Sequence, residues 1–580
     1  MCIARRVTSR IRPRTSTGSP PKAAEGPIIR ICKPVGLLGA AALLGAATPV
    51  AAADADGAAL NALVRARLAE EKGAPAAALS ALNEVVSLSP GLPGVRGRML
   101  EQAIAAGDLD AARRAAQQVW TGGDHRFDAQ LVLLVDAMRR SDWKAARAYL
   151  AAPTDKTGAN TGARLIVPIF QAWIDVGARA RRPERHLMAT PGTGAEPALM
   201  LQVVQVQAAT RRAGEAARLA DEIGLSDRLS QLVALRAAAT LDRAGEGAAA
   251  GRLRARIALA AGEREDPMLL LPDQPVTTPR AGSAQWLGLL ADGLARTPNA
   301  STKLPLLFAR AAHWLNDEDW AVRATLVEAL ARDGQNGAAM ALLDGLRGKL
   351  PAVLVMRQAE LIADSGDLAA GLERAEAAAR NDAPRMLLVR LADLARRSGS
   401  AAAAAAAYER LEAALGEEDR ALRSSLLLAR AELMLQADQW DAAAPLIERA
   451  VALQPDDPAV LNFAGYSALE RRKDMKQSLA RIEAAWARAP QNASITDSLG
   501  WAYFLIGRTD EAVELLERAQ RGEPDNAVIV EHLGDAYWQA GRKFQARYNW
   551  RAAALLADAE MATRIEAKLR DGLTPATVAP

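Results

Sequence analysis

One spacing constrains this 580-residue chain more than any other feature: in its C-terminal quarter, residues recur every 34 positions. Gly500 and Gly534, Tyr503 and Tyr537, Gly507 and Gly541, Ala512 and Ala546, Ala519 and Ala553, and Pro490 and Pro524 are all 34 apart. Self-similarity at a period of 20–50 residues is the mark of a stacked-repeat architecture. Within one period, Leu499-Gly500 and Tyr503 fall on one helical face. A turn follows at Gly507-Arg508-Thr509-Asp510, and Ala512, Leu516 and Ala519 then recur at helical spacing. The small residues Gly500, Ala512 and Ala519 are placed for two helices that cross at short distance. Pro524 cannot continue a helix interior and ends the second helix, and Asp525-Asn526 offers capping groups to the next one. The repeat unit is a helical hairpin.

The period extends upstream in weaker form. Gly465 and Pro455 precede Gly500 and Pro490 by 35 residues. Gly334, Gly366 and Gly399 are spaced by 32 and 33, and Gly73, Gly107 and Ser141 by 34, each ending a helical stretch. Residues 54–150 therefore predict about three helical pairs. Residues 160–262 read as amphipathic helices with a poor signature, again expected as hairpins. Half of the chain is apolar but only 4% aromatic. That balance disfavours β-sandwiches and barrels and suits helices packed through small side chains. The fold class expected is all-α, an α-solenoid of stacked antiparallel hairpins.

These residues resemble the tetratricopeptide repeat. The resemblance covers 424–557 in four consecutive units and is most specific in 493–526 and 527–560. Thr496 and Val530 stand where the family favours a tryptophan early in the first helix. The segments LNFAGYSALE, DSLGWAYFLIGR and EHLGDAYWQAGRKFQARYNW also look like a set of bacterial envelope-associated repeat proteins of undefined role. The resemblance implies a protein–protein interaction scaffold.

Residues 1–34 are basic. An apolar run over 35–47 follows, then Thr48-Pro49 and Ala51-Ala52-Ala53 before Asp54. This is the layout of a secretory signal peptide, and it predicts a mature chain beginning near Asp54, exported across the inner membrane to the periplasm. Both cysteines, Cys2 and Cys32, lie in this leader. Its removal would leave no thiol for disulfides, catalysis or metal binding. The net charge of +4 also belongs to the leader, which holds eight basic residues and one acidic one. The remainder carries 64 basic against 67 acidic residues, without the basic excess that nucleic-acid binding requires. No later stretch is long and apolar enough to span a bilayer.

The Pro-rich stretch 263–283 contains Pro267, Pro272, Pro275 and Pro279 and reads as a joint between two arrays. The expected organisation is a leader (1–53), a degenerate helical array (54–262), a linker (263–283), degenerate repeats (284–423), well-formed repeats (424–560), and a capping helix with a tail (561–580). The last residues, LTPATVAP, are expected to fray.

No phosphate-binding loop, nucleophile elbow or H-E-x-x-H motif is present. The four histidines are isolated in sequence. His532 lies beside Glu531 and near Asp535, which a catalytic reading would pair with it, but a groove or surface position is the simpler reading. Asp317-Glu318-Asp319 after His313 reads as a helix start and not a metal cluster. No enzyme activity, cofactor or metal is expected.

In a curved stack the first helix of each hairpin lines the concave face. The partner-binding residues expected there are Asn462, Tyr466, Asp497, Trp501, Phe504, Glu531, Asp535 and Trp538. Trp501 and Trp538 read equally as hot spots or as packing between repeats. The acidic groups would repel a carboxylate ligand and favour a basic or neutral segment. The leading expectation is a non-catalytic envelope scaffold binding a protein or peptide. The alternatives are the helical scaffold of a murein-lytic enzyme, which would need a compact non-hairpin lobe in 160–262, and a cytosolic adaptor.

Overall fold

The computed structural model describes residues 50–153, 160–188, 196–262, 266–297, 301–345, 350–380 and 383–579. The signal-peptide expectation for 1–53 falls almost wholly outside them. Among the described residues the chain forms 29 α-helices and one short 3-10 helix, with no strand. They fall into two compact units, 50–400 and 401–579.

The first unit opens with the three expected pairs, Val50–Glu71 with Pro75–Leu88, Val95–Ala106 with Leu109–Thr121, and Phe127–Arg139 with Trp143–Ala151. Gly73, Gly107 and Ser141, the residues at 34-residue spacing, all have positive φ in the turns. Residues 160–262 continue as helices, including the hairpins Glu196–Ala209 with Ala213–Glu222 and Arg228–Arg243 with Gly247–Ala261. The second helix expected after Asn160–Gly177 is reduced to the single turn Arg185–Met188. Two buried carboxylates there are engaged by cations, Asp175 by Arg147 at 2.8 Å and Glu184 by Arg212 at 2.6 and 2.7 Å. The described part of this region is thus built largely of hairpins.

The stretch 263–283 departs from the expectation of a linker. Its described part is packed inside the first unit, and the division between units falls at 400/401 instead. The physical reason is that two of the four prolines start elements and buried groups anchor the stretch between them. Pro267 opens the 3-10 turn under an Asp266 cap, and Pro279 opens the helix Pro279–Ala295 under a Thr278 cap. Val276 is buried and its N–H donates to Thr240 Oγ1 at 2.9 Å, while Arg236 Nε donates to the Gln274 carbonyl at 2.6 Å. Arg236 also pairs with Asp319 (Nη1–Oδ1 2.9 Å), which caps the helix Trp320–Arg332 as its position in the sequence implied. The helix Lys303–Leu315 packs back on the first hairpins. Arg310 donates to the Ala105 carbonyl at 2.8 Å, Arg139 to the Trp314 carbonyl at 2.7 Å, and Phe127 meets Phe308 edge-on at 6.0 Å.

The second unit holds the strong repeats. The pairs are Arg420–Gln436 with Trp440–Leu453, Pro458–Glu470 with Met475–Arg488, Ala493–Leu505 with Thr509–Gly522, and Ala527–Gln539 with Lys543–Ala554, followed by a cap helix, Ala559–Asp571. The alanine run at 401–407 lies in the helix Ala401–Ala413, as alanine's helix propensity leads one to expect. The small residues act as the sequence implied. A β-carbon on Gly500 would sit 2.8 Å from Leu516 Cγ, and one on Gly534 only 2.4 Å from Trp550 Cδ1. Ala512, Leu516 and Ala519 are fully buried against them. Tyr503 and Tyr537 recur because each ties its hairpin to the one before. Tyr503 Oη donates to Glu483 Oε1 (3.1 Å), and Tyr537 Oη donates to Glu517 Oε1 (2.8 Å).

Candidate partner-binding groove

Three first helices, Pro458–Glu470, Ala493–Leu505 and Ala527–Gln539, carry the eight candidate residues. Asn492 and Asn526 cap the second and third through their side-chain oxygens, at 3.1 Å from the N–H groups of Ile495 and Val528. The shared period then sets equivalent faces side by side, and polar contacts run between neighbouring hairpins.

Asp497 reaches forward to His532, with Nδ1 2.9 and 3.1 Å from the two carboxylate oxygens. An ionised carboxylate can only accept, so Nδ1 carries the hydrogen. The imidazole stacks on Trp501 at a 4.0 Å centroid distance, and Phe504 stacks on the same indole at 4.6 Å. His532 is therefore neither a surface residue nor the partner of its sequence neighbours Glu531 and Asp535. Trp501 is fully buried, and its Nε1–H finds no acceptor among the described residues.

Glu531 and Asp535 are also buried. Arg564 grips Glu531 with two hydrogen bonds at 2.8 and 2.9 Å, and Lys568 Nζ lies 2.7 Å from Glu531 Oε1 and from both oxygens of Asp535. Trp550 Nε1 donates to Asp535 Oδ1 at 2.8 Å, and the backbone N–H of Ala579 donates to Oδ2 at 3.0 Å. Burial pushes both carboxyls up. At Glu531 the Arg564 hydrogen bonds and the Lys568 charge outweigh it and hold the group below its ordinary value, whereas at Asp535 burial prevails.

The open acidic surface expected at 497, 531 and 535 is thus corrected. The chain supplies its own basic groups from the cap helix and closes over them, because a buried carboxylate must be matched by a cation or by hydrogen bonds. Trp538 is half-buried, 5.2 Å from Trp550, with Lys543 and Arg547 over its ring. For Trp501 and Trp538 the packing reading is the one the structure places. Asn462 and Tyr466, on the preceding first helix, remain partly exposed, and Asn462 Oδ1 has no hydrogen-bond partner among the described residues. Tyr466 packs on the cluster that holds Trp501 and Phe504.

Sequence reasoning missed Arg564, Lys568 and the tail. The available signal was the i, i+4 cation pair 33 residues after Glu531 and Asp535, one repeat length away. The tail does not fray as expected. Ala579 is buried in the Trp501–Phe504 cluster, with Leu573 and Val578 packed against it.

In the first unit, a cleft of about 930 Å³ is lined by Arg67, Glu70, Arg98, Glu101, Arg126 and Lys303 among others. Its cations Arg98, Arg126 and Lys303 are already paired with Glu70 or Glu101. Among the described residues no cluster of three or more His, Cys, Asp or Glu side chains could hold a metal, and no helix is long and apolar enough to cross a membrane.

Residues 424–467 match the tetratricopeptide repeat family. No curated protein matches the chain. Solved structures similar to it include the APC/C hetero-tetramer Cut9–Hcn1, at 13% identity over 89% of this chain and 96% of that one, with a TM-score of 0.35. MamA matches at 18% identity over 34% of this chain and 98% of its own, with a TM-score of 0.24. A tetratricopeptide repeat protein from Parabacteroides merdae matches at 14% identity over 43% and 96%, with a TM-score of 0.36.

Proposed function

We propose that this chain, whose residues 424–467 match the tetratricopeptide repeat family, is a non-catalytic scaffold of the bacterial cell envelope that binds a partner protein or peptide along the first helices of 458–538. Tetratricopeptide repeats are in general protein-interaction scaffolds. The observation that carries the finer reading is the unspent Asn462 Oδ1 on these helices, beside the half-open ring of Tyr466. Buried polar groups without partners are costly, and a bound segment would satisfy this one. An aromatic flanked by hydrogen-bonding groups is the composition of an interaction hot spot. The periplasmic location is supported by the layout of residues 1–53 in the sequence.

The test is capture of the partner by tagged full-length protein. A double variant, Asn462→Lys with Tyr466→Ala, keeps the buried Trp501 and Asp535 intact and is expected to abolish capture with helicity unchanged. Trp501→Ala with Asp535→Lys would instead disrupt the buried network and report on folding. Retained capture by the Asn462–Tyr466 variant would place the binding surface elsewhere and end this reading.

A further inference from the structure

We infer that the C-terminal tail, residues 572–579, is an internal ligand of the groove, and that the partner is an uncharged segment of small and apolar residues that binds by displacing it. This deepens the proposed function and rests on it. The tail leaves the cap helix at Gly572, whose φ of +83° favours glycine and whose missing β-carbon would meet the Trp538 ring at 2.2 Å. The chain can therefore turn tightly against that indole. A turn closes at Thr574–Val578, where the N–H groups of Thr577 and Val578 donate to the Thr574 carbonyl at 2.9 and 3.1 Å. The tail then runs onto the Trp501–Phe504 cluster, burying Ala579, with Leu573 and Val578 in partial contact, and gives its Ala579 N–H to Asp535.

Two features separate the tail from the cap helix before it. The helix is locked by Arg564 and Lys568 on buried carboxylates and by Arg547 on the Leu569 carbonyl. In the tail, Pro575 and Ala576 are exposed, and Thr574, Thr577 and Val578 are only half-buried. Its hold on the groove is apolar contact plus one backbone hydrogen bond to a carboxylate. That is the bonding of a bound peptide: main-chain hydrogen bonding with small side chains against aromatics. The tail also leaves the Trp501 indole N–H without an acceptor, so a better-fitting segment has a hydrogen bond to gain. Residues 573–580 carry no charged side chain, consistent with a groove whose acidic groups are already neutralised by Arg564 and Lys568.

The test uses the chain truncated after Gly572, which retains the cap helix, and a fluorescent peptide of sequence LTPATVAP added in trans, read by anisotropy. The truncated chain is expected to bind the peptide, and the full chain to bind it at least about tenfold more weakly, because its own tail competes at high effective concentration. A full-length variant, Ala579→Pro, removes the N–H given to Asp535 without shortening the chain and is expected to regain peptide binding. A folded truncated chain that binds no peptide would overturn the inference. So would a truncated chain that loses the helicity of its last hairpins, since the tail would then be part of the core. Partner capture that maps outside 458–538 would sink the proposed function while leaving the peptide result standing.

Discussion

Gly534 shows how one missing side chain sets the spacing of a whole hairpin. Its helix passes so near the second helix that the Trp550 indole occupies the volume a β-carbon would need. We predict that Gly534→Val destabilises the second unit by about 1–3 kcal/mol, the usual cost of overpacking a close-packed core, read as a shift of its melting transition. Gly293→Val, at a position with open space around its β-carbon, should have a much smaller effect. At this scale the sequence was legible where residues repeat. Gly500, Ala512, Leu516 and Ala519 lie at the helix crossing that their spacing implied. It was not legible where a residue's partner lies one repeat away. A catalytic reading would pair His532 with Glu531 or Asp535, but Glu531, one residue away, lies on a different helical face, and Asp535, three residues on, is held by Lys568 and Trp550. The partner of His532 is Asp497, 35 residues earlier.

Among the elements, the cap helix Ala559–Asp571 decides what the last repeats present. Its existence was legible from amphipathic spacing, but its chemistry was not, because Lys568 is fully buried and lysine is ordinarily read as a surface residue. Lys568 stands between two buried carboxylates, so its loss leaves charge uncompensated. We predict that Lys568→Met costs about 3–5 kcal/mol in the docking of this helix, seen as accelerated amide exchange confined to 527–579. The Pro-rich stretch makes the complementary point. Four prolines in a short window predict an interruption of helix, and helix is interrupted there. They do not predict a loose joint, because the anchoring groups Arg236 and Thr240 lie on a helix 38 and 36 residues before the atoms they hold and carry no local signature.

For the molecule as a whole, the first unit is held by contacts between hairpins distant in sequence, and among them is the buried Arg236–Asp319 ion pair. Burial raises the Asp319 carboxyl, but the Arg236 charge and its hydrogen bonds outweigh this and hold it below the ordinary 3.8. A depressed carboxylate stabilises the fold when ionised. Its contribution is complete above the unfolded value and disappears as pH falls through the folded one. The first unit should therefore lose stability as pH falls below about 4, and Asp319→Asn should be less stable at neutral pH and flatter over that acid range, as chemical denaturation at a series of pH values would show. The central claim is that partners meet this scaffold on the first helices of 458–538. The most direct measurement places a photo-crosslinking amino acid at position 466, with a control at the exposed Phe544, and identifies by mass spectrometry both the captured protein and the mature N-terminus. The account predicts an envelope protein captured from 466 and not from 544, on a chain that begins at or near Asp54. Capture from 544 alone, or a cytosolic partner on a chain that keeps its leader, would contradict it.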